Sequence, residues 1–511
     1  MRGDRSRRGW LWVVAAIAAL GMVACSVLVD RNRRQCVTND DCGRLSAGST
    51  CSEGICTLAV GKQPTCKPGP AQTSEDFLNL CTPADCIPYD NVANGVDINP
   101  DAGLIPPPPA ATPDAGTSVS DAGTTSRPSC LDPEAGRDKV IYVTGSSNFP
   151  PLLAKLGPLI MQQTGYTPVY QITSSCNGVK TVFSAQARDR LMVDPPPGSR
   201  ASPATYVTAD GSLIPCTLGP GGVAVDIGES DIFSSSCAGT VPSSDVGEYF
   251  GPIQAMLFVV PGYSTQKVIS AEMARAVFGR GGDNQKATPW IDPDLYFIRN
   301  ANTGTQQMIG RAIGVPADQF WGRDRGTAAN LAAELTVVAS EHADQAIGII
   351  SNDYLDRSMG NLTELAYQAP GQTCGFWPDS TQSLRDKRNV RDGHYPIWGP
   401  LHFFTRIAGA IPISQAAAAF VTTVSVPEPR VELLDAYIEA GLVPSCAMHV
   451  QRSTDLGALS AYQPPINCGC YFEAKLANGV APAGCKPCTT ANDCTDQPGR
   501  PECRVFFCEA S

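Results

Sequence analysis

One short stretch of the chain combines the three signals of a strand–loop–helix unit. The β-branched run Val140–Val143 predicts a buried strand, and Gly145 with the two serines after it predicts a tight turn. Pro150 and Pro151 fit the first turn of a helix, where a missing N–H is tolerated, and Gly165 is placed to end that helix. The apolar residues that recur at helical spacing are Leu152, Leu153, Leu156, Leu159 and Ile160. A loop of this kind presents unpaired N–H groups at the positive end of a helix dipole, so it can hold an anion.

Strands and helices alternate from Val140 to about Pro444, and this alternation predicts an α/β fold. The expected strands are Tyr166–Ile172, Val223–Gly228, Ala255–Val260, Tyr296–Arg299, Ile347–Ile350 and Ile397–Ile407, and helices are expected to begin at Ser270, Ser414 and Pro429. The chain is expected to build a first lobe (lobe I) from residues 138–255 and 395–445 and a second (lobe II) from 256–394. Two connections then cross between the lobes, and the cleft can close about them as a hinge.

The first residues have the features of an export signal. Four arginines precede an apolar run, Trp10–Val23, that is short for a membrane span. The Met22-Val-Ala-Cys25 that follows resembles the lipobox of bacterial lipoproteins, so residues 1–25 are interpreted as a lipoprotein signal peptide with lipid attached to Cys25. This predicts a protein anchored by lipid on the extracytoplasmic side of a bacterial membrane, at the periplasmic or outer-membrane face. An uncleaved membrane anchor is the alternative, and it places the chain on the same side.

The cysteines are concentrated towards the two ends of the chain. Of 21 cysteines, 20 remain when Cys25 is set aside, and an even number in an exported chain indicates disulfides. Intervals of 6, 9 and 5 separate four cysteines near one end and recur near the other, so one small module is used twice. The two sets are Cys36, Cys42, Cys51 and Cys56, and Cys488, Cys494, Cys503 and Cys508. Disulfide-rich modules are therefore expected over residues 26–86 and 446–511, where each closed loop of about 15 residues would contribute about 3 kcal/mol.

Zinc is the alternative for two closely spaced cysteine pairs in the second module. Cys485-Lys-Pro-Cys488 and Cys468-Gly-Cys470 have local spacings that zinc sites also use. The expected extracytoplasmic location and the absence of paired histidines favour disulfides. Neither a metal nor a cofactor is therefore predicted.

Residues 87–137 have the composition of a linker. Asp-Ala-Gly or Glu-Ala-Gly recurs four times among Pro, Ala, Thr and Ser, and Pro106–Pro109 are consecutive. This composition predicts an extended tether between the first module and the α/β domain.

Six segments lie in a fixed order along the α/β region. They are Thr144-Gly-Ser-Ser-Asn-Phe149, Ser174-Ser-Cys-Asn-Gly-Val179, Asp226-Ile-Gly-Glu-Ser-Asp231, Arg299-Asn-Ala-Asn-Thr-Gly-Thr305, Tyr395-Pro-Ile-Trp-Gly-Pro-Leu401 and Gly441-Leu-Val-Pro444. In this order they resemble the type 2 periplasmic binding proteins of bacterial ABC importers, in particular phosphate-binding components of the PstS kind. The resemblance covers about three fifths of the chain and leaves out its cysteine-rich ends. It implies a two-lobed domain that binds phosphate or a related oxyanion between its lobes, with an ABC permease as its partner.

The resemblance also implies which residues would hold the anion. They are Ser147, Asn148, Phe149, Ser175 and Asp231 in the first lobe, and Arg299, Thr303, Gly304 and Thr305 in the second. Hydroxyl donors, two helix N-termini and a guanidinium suit an oxyanion. Asp231 would discriminate between anions, because a carboxylate repels a bound anion unless the ligand donates a proton to it. Hydrogen phosphate would then be accepted and sulfate excluded.

The sequence departs from the family pattern at two places. Ala301 stands where the family has an aspartate that would orient Arg299, so the anion would be held less selectively or the ligand would differ. Residues 180–222 are longer than the usual connection and are expected over the cleft. A disulfide among Cys176, Cys216, Cys237 and Cys374 would either fasten a loop of the site or serve structure alone.

Two other classes of function remain open. A structural, adhesive or sensory surface protein could use the same fold with a degraded site, which the twinned modules and Ala301 favour. A hydrolase would need Ser146 or Cys176 as its nucleophile, but neither a nucleophile elbow nor a placed His and Asp accompanies them, so no enzyme is predicted. The net charge of −11 and the lack of a basic stripe argue against nucleic acid as a partner, and a monomer is expected.

Overall fold

The computed structural model of the chain describes residues 38, 49–52, 55–58, 63, 65–96, 103–107, 127–199, 201–282, 286–357, 360–425 and 430–510. These residues belong to two compact units, 1–59 and 60–511, which are described separately. The predicted signal peptide and Cys25, its lipidation site, lie outside the described residues. Among the helices that are described, none combines the length and the apolar character needed to cross a membrane.

The same small hairpin occurs in both predicted cysteine-rich modules. The hairpins are β1 (Ser49–Ser52) with β2 (Ile55–Leu58), and β23 (Glu502–Arg504) with β24 (Phe507–Glu509). In the first hairpin Cys51 lies opposite Cys56, and in the second Cys503 lies opposite Cys508. These are the third and fourth cysteines of each set, so the repeated spacing corresponds to a repeated backbone structure.

A twelve-stranded mixed sheet runs through the large unit. Its strands are β4 (Val140–Gly145), β5 (Thr167–Ile172), β7 (Thr205–Val207), β8 (Leu213–Pro215), β10 (Ile227–Ser230), β11 (Val246–Pro261), β13 (Tyr296–Ile298), β14 (Arg323–Asp324), β15 (Ile347–Ser351), β16 (Leu362–Glu364), β19 (Trp398–Ala408) and β20 (Ile411–Pro412). The main path is β14-β13-β15-β11-β19-β10-β4-β5-β7-β8, while β16 pairs with β11 and β20 with β19. The parallel β10-β4-β5 ladder, with helices between its strands, confirms the predicted α/β class.

The remaining strands form small sheets around this one. They are β3 (Cys86–Ile87), β12 (Val268–Ser270), β17 (Ala366–Gln368) and β18 (Gly375–Phe376) in a four-stranded sheet, β6 (Leu191–Met192) paired with β9 (Val223–Ala224), and β21 (Val450–Gln451) paired with β22 (Ser460–Ala461).

The helices begin and end at residues suited to those positions. They are α1 (Ser74–Asn79), α2 (Pro150–Thr164), α3 (Ser175–Phe183), α4 (Ala271–Arg280), α5 (Gly304–Ile313), α6 (Ala328–Thr336), α7 (Asn352–Arg357), α8 (Arg388–Asp392), α9 (Gln415–Val424), α10 (Val431–Glu439) and α11 (Gly469–Leu476). Gly165 ends α2 in the left-handed region at φ 73°, as predicted. The predicted cap Ser270 accepts a 3.0 Å hydrogen bond from the Met273 N–H at the start of α4.

Two long strands, β11 and β19, connect two hydrophobic cores. The first half of β11 pairs with β19, and its second half continues to pair with β15. On one side, α2, α9 and α10 pack around β4 and β5, with Leu153, Phe403 and Phe420 fully buried. On the other side, Phe258 and Phe278 belong to a second large cluster around β13 and β15. This arrangement gives the large unit two lobes that share strands.

The N-terminal segment of the large unit is fastened to the α/β region. Cys66 and Cys81 form a local disulfide, whereas Cys86 is bonded to Cys374. The sequence predicts a module that ends at Cys86 and a linker that begins at Ile87, but these two buried residues form β3 and pair with β18. Burial of both side chains and the covalent bond account for the difference.

The described parts of the predicted linker also contact the α/β region. The indole N–H of Trp321 donates a 2.7 Å hydrogen bond to the Ile105 carbonyl. Further on, Cys130 is bonded to Cys216, which follows β8. Residues 103–107 and 127–137 are therefore packed segments, and no statement follows for the rest of 87–137.

The long connection at 180–222 extends the sheet of lobe I. Strands β7 and β8 form an antiparallel hairpin, and β7 adds to the edge of β5. The expectation that this connection lies over the cleft is wrong for these strands, because main-chain pairing holds them at the sheet edge.

The C-terminal segment contacts both lobes. Disulfides join Cys446 to Cys468 and Cys470 to Cys485, and two more join the last four cysteines in the pairs Cys488–Cys503 and Cys494–Cys508. The zinc alternative is therefore wrong for these cysteines, because their sulfurs are consumed in disulfides. Asp455 accepts from the Phe233 N–H of lobe I at 3.1 Å, and Glu473 pairs with Arg391 of lobe II at 2.7 Å.

Protonation of the buried His394 is expected to destabilise the folded chain, because its side chain is removed from water. Burial lowers the pKa of His394 below its usual 6.5, and its Nε2 lies 2.9 Å from the Leu80 carbonyl oxygen. The unfolded chain therefore binds this proton more readily, so the histidine's contribution to stability is lost as pH falls below about 6.5. His394→Gln should lose less stability between pH 7 and pH 5 in urea unfolding. The exposed His342→Gln is the control and should follow the unaltered protein; equal pH dependence of all three would contradict the assignment.

Candidate anion site between the lobes

The loop between β4 and α2 brings polar groups to the interface of the lobes. Ser146, Ser147 and Asn148 are all buried there, and the Asn148 N–H donates to Ser146 Oγ at 3.1 Å. Phe149 is also buried, but its ring packs on Tyr170 and Phe403 at centroid distances of 5.2 and 5.6 Å. The ring of Phe149 therefore belongs to the core of lobe I, and the backbone N–H of this residue is the group that the predicted site could use.

Asp231 follows β10 and receives three hydrogen bonds on one carboxylate oxygen. Ser146 Oγ, Asn148 Nδ2 and Ser175 Oγ donate to Oδ2 at 2.5, 3.0 and 3.1 Å. Burial raises the pKa of Asp231, while these hydroxyl and amide donors and the Arg299 charge act in the opposite direction. The donors hold one oxygen of the carboxyl group in a fixed orientation at the interface.

Arg299, at the end of β13, is the cation of the opposite wall. Its Nε donates to the Gly326 carbonyl at 2.7 Å, and one terminal nitrogen donates to Ser147 Oγ at 2.7 Å. Burial lowers the pKa of Arg299 to about 10, whereas the charge of Asp231 raises it. The Gly326 carbonyl and the Ser147 hydroxyl thus orient the guanidinium, although position 301 is an alanine and cannot supply the aspartate of the family pattern.

The two walls are in direct contact through side chains and helix N-termini. Ser175 Oγ accepts from the Gly304 N–H at 3.0 Å, and Asn148 Nδ2 donates to Thr305 Oγ1 at 3.0 Å. Ser147 Oγ also accepts from the Ala328 N–H at 3.2 Å. The hydroxyls of two serines therefore lie on the N-termini of α5 and α6, where an anion's oxygens would also be stabilised.

Several polar atoms at this interface have no partner among the described residues. They are Nη1 of Arg299, Oδ1 of Asp231 and Oδ1 of Asn148, all buried. Unpaired buried polar atoms are uncommon in folded proteins and call for an explanation. Here a charged donor and two acceptors occur together, which matches a ligand that offers both an acceptor oxygen and a proton.

Three further residues belong to this network and were not predicted as ligands. Glu229 Oε2 accepts from the Ser146 N–H at 2.7 Å and from Tyr170 OH at 3.1 Å, and burial followed by the charge of Asp231 raises the pKa of Glu229 well above its usual value. Tyr354 OH donates to the Ser147 carbonyl at 3.1 Å. Glu229 lies inside one of the six segments that carry the resemblance, so the sequence could have drawn attention to it. No sequence pattern distinguished Tyr170 or Tyr354 as a residue of the site.

Thr303 is placed differently from the other predicted ligands. It is buried at the start of α5, but its hydroxyl donates to the Asn300 carbonyl at 2.8 Å. The side chain thus closes its own turn and is not joined to the network around Asp231. Ser147, Asn148, Ser175, Gly304 and Thr305 are joined to it or to Arg299 by the hydrogen bonds above.

A disulfide holds one element of the site in place. Cys176, next to Ser175 in the first turn of α3, is bonded to Cys237, which follows the Asp231 loop. The bond fixes the start of α3 against that loop, so it holds Ser175 and Asp231 in register. Cys176 has no free thiol in this state, which removes it as the nucleophile of a hydrolase.

Gly304→Ala is expected to push the two walls apart. A Cβ at Gly304 would lie 2.7 Å from Asp231 Cβ and 2.8 Å from Ser175 Oγ, closer than real Cβ contacts. We expect the free energy of unfolding, measured in urea, to fall by about 2 kcal/mol, as is typical of overpacking, and the backbone amides of positions 304 and 328 to exchange hydrogen faster. Gly219→Ala is the control, since its Cβ would meet nothing within 4 Å. Unchanged exchange and stability in Gly304→Ala would show that the walls are not in contact in solution.

Comparisons with known proteins give structural likenesses only. No family model and no curated protein matches the chain. Among solved structures, a phosphate ABC transporter substrate-binding protein with bound phosphate from Clostridium perfringens is 12% identical, with a TM-score of 0.41, and the match covers 60% of this chain and 99% of that one. An ABC-type phosphate transport receptor from Vibrio cholerae is 13% identical, with a TM-score of 0.37 and coverages of 59% and 99%. The reduced regulatory domain of OxyR2 from Vibrio vulnificus is 10% identical, with a TM-score of 0.31 and coverages of 59% and 97%.

Proposed function

We propose that this protein is a surface-tethered, extracytoplasmic solute-binding lipoprotein that takes phosphate or a related oxyanion between its two lobes, with an ABC permease as its partner. The observation that carries the proposal is that buried Arg299 and Asp231 lie on facing walls, each with one polar atom that has no hydrogen-bond partner within the part of the chain that the structure describes. The lipobox at Cys25 and the disulfides support the extracytoplasmic, lipid-anchored part of the proposal.

Binding requires the lobes to separate, because their walls are in hydrogen-bond contact. An entering oxyanion would replace Ser175 Oγ at the Gly304 N–H and Ser147 Oγ at the Ala328 N–H. Arg299 Nη1 would then donate to a ligand oxygen. The shared strands β11 and β19 are where the backbone would bend, as in hinge closure of two-lobed proteins.

Asp231 would select the protonated oxyanion. Its Oδ2 is saturated by three donors, so Oδ1 is the atom left to accept a proton from the ligand. A ligand without a proton, such as sulfate, would place its charge against this carboxylate and would bind more weakly.

Isothermal titration of the oxidised chain from Ser26 to Ser511 tests both statements. Phosphate should bind, and sulfate should give no heat. Asp231→Asn removes the charge and keeps the shape, so it should narrow the preference for phosphate over sulfate by at least tenfold, about 1.4 kcal/mol. Asp245→Asn, an aspartate of lobe I paired with Arg406, is the control and should leave the preference unchanged. Absence of heat from phosphate in the unaltered protein would refute the proposal.

A structural or sensory surface protein is the second candidate. The direct contacts between the walls and the bridging of both lobes by the C-terminal segment favour it, since both oppose opening. It predicts no response to phosphate or sulfate and no change in hydrogen exchange at Gly304 when either anion is added.

A further inference from the structure

Two cavities adjoin one another between β11 and the C-terminal segment, apart from the residues of the interlobe site. One has a volume of about 530 Å³ and the other about 320 Å³. Both are lined by Glu248, Phe250, Gly251, Ser445 and Tyr462, so they form one groove with Phe250 between its two parts.

The groove combines an exposed aromatic ring with polar groups of both charges. Phe250 is 50% exposed, and its ring lies 6.3 Å from the buried ring of Phe233. Glu248 and Arg452 supply one negative and one positive group in the larger cavity, and Gln451 and Ser453 are exposed beside them. The Arg452 guanidinium stacks over Trp398 at 4.1 Å, which holds it in place.

A layer of unpartnered polar atoms lies in and behind the wall of this groove. Among the described residues, Trp398 Nε1, His402 Nε2, Arg452 Nε and Asp455 Oδ1 are buried and make no hydrogen bond. His402 is fully buried between Phe233 and Phe250, and its Nδ1 lies 2.7 Å from Glu248 Oε1. A concentration of such atoms beside one groove is unusual for a wall that serves packing alone.

We propose that this groove is a second ligand site, for a neutral saccharide. An aromatic face exposed to solvent packs against the C–H face of a sugar ring, and hydroxyl groups can pair with a carboxylate, a guanidinium and an amide at the same time. The Glu248 carboxylate would repel a purely anionic ligand, and the Arg452 guanidinium would repel a purely cationic one. A neutral polar ring therefore fits the charges of the groove best. The site does not depend on the proposed phosphate function.

Saturation-transfer NMR on the oxidised chain from Ser26 to Ser511 tests the proposal. The probes are glucose, galactose and N-acetylglucosamine, with glucuronate, glucosamine and free phenylalanine as anionic, cationic and zwitterionic comparisons. At least one neutral sugar should show transfer, and Phe250→Ala should weaken its binding at least tenfold. Phe506→Ala, which removes a ring that is 60% exposed elsewhere, should leave the sugar signal unchanged.

Further variants separate the groove from folding and from the interlobe site. Glu248→Gln keeps the shape of the wall and should weaken the binding of the sugar. It should not lower the unfolding temperature by more than the Phe506→Ala control does. Asp231→Asn should leave the sugar signal intact. Transfer to none of the neutral sugars, an undiminished signal in Phe250→Ala, or transfer to phenylalanine in preference to every sugar would overturn the proposal.

Discussion

Arg299→Lys is expected to weaken phosphate binding about 100-fold while leaving the chain folded. Lysine keeps the positive charge, but it cannot donate to Gly326 and Ser147 while also presenting a free donor to the ligand, as the guanidinium does. Charge-assisted hydrogen bonds are about twice as strong as neutral ones, so losing the fork removes much of the binding energy. Titration calorimetry with phosphate measures the affinity, and thermal unfolding without ligand measures the cost to the fold.

Arg325→Lys is the matched control for this experiment. Arg325 is close in sequence to Gly326, but its guanidinium pairs with Glu334 at 2.6 Å and lies over the ring of Phe297 at 4.4 Å. It should change phosphate affinity by less than threefold. If both variants lost affinity equally, the loss would not depend on where the guanidinium lies, and the specific role proposed for Arg299 would be wrong.

Removal of the Cys86–Cys374 disulfide is expected to cost about 4 kcal/mol of unfolding free energy. The bond closes a loop with a sequence separation of 288 residues and holds β3 in the four-stranded sheet. Without the bond, the unfolded chain gains the conformational entropy of a long open loop, which stabilises the unfolded state. The Cys130–Cys216 and Cys176–Cys237 bonds inside the loop make this gain smaller. Urea unfolding of the Cys86→Ser, Cys374→Ser double variant measures the cost.

The control is the double variant Cys66→Ser, Cys81→Ser. This bond spans a separation of only 15 residues, so its loss should cost less, about 3 kcal/mol in the same entropic account. Equal or larger destabilisation by the Cys66–Cys81 variant would mean that native packing, and not loop length, decides the contribution of these disulfides.

Local patterns in the sequence predicted the helices and strands that carry the site. Gly165 and Ser270 end and begin helices because their side chains, or the lack of one, suit those positions. The resemblance brought forward Asn148, Ser175 and Arg299 from three distant segments, and the structure places them at one interface. These residues could be predicted from the sequence because their side chains have a recognisable chemistry.

Contacts made by main-chain groups could not be predicted in the same way. The Gly326 carbonyl that orients Arg299 and the Ala328 N–H that binds Ser147 are present in every peptide unit and leave no mark in the sequence. Docking of β3 on β18 was missed because two residues give too short a pattern, and the proline-rich composition of the following segment favoured a free linker. The packing of the Phe149 ring in the core of lobe I was not predicted, because the motif does not show which way the ring turns.

The order of the strands in the large sheet has a consequence for the order in which the two lobes fold. Strand β19 pairs with β10 and β11. Trp398 is therefore the pairing partner of Ala255, although all of lobe II lies between these two residues in the sequence. Apart from β3, the strands and helices of lobe II come from one continuous stretch, and they can assemble as soon as that stretch is available for folding. Lobe I has to wait for β19, α9 and α10. Such distant pairings slow folding, so lobe II is expected to become protected from proteases first and lobe I only after its last third has arrived.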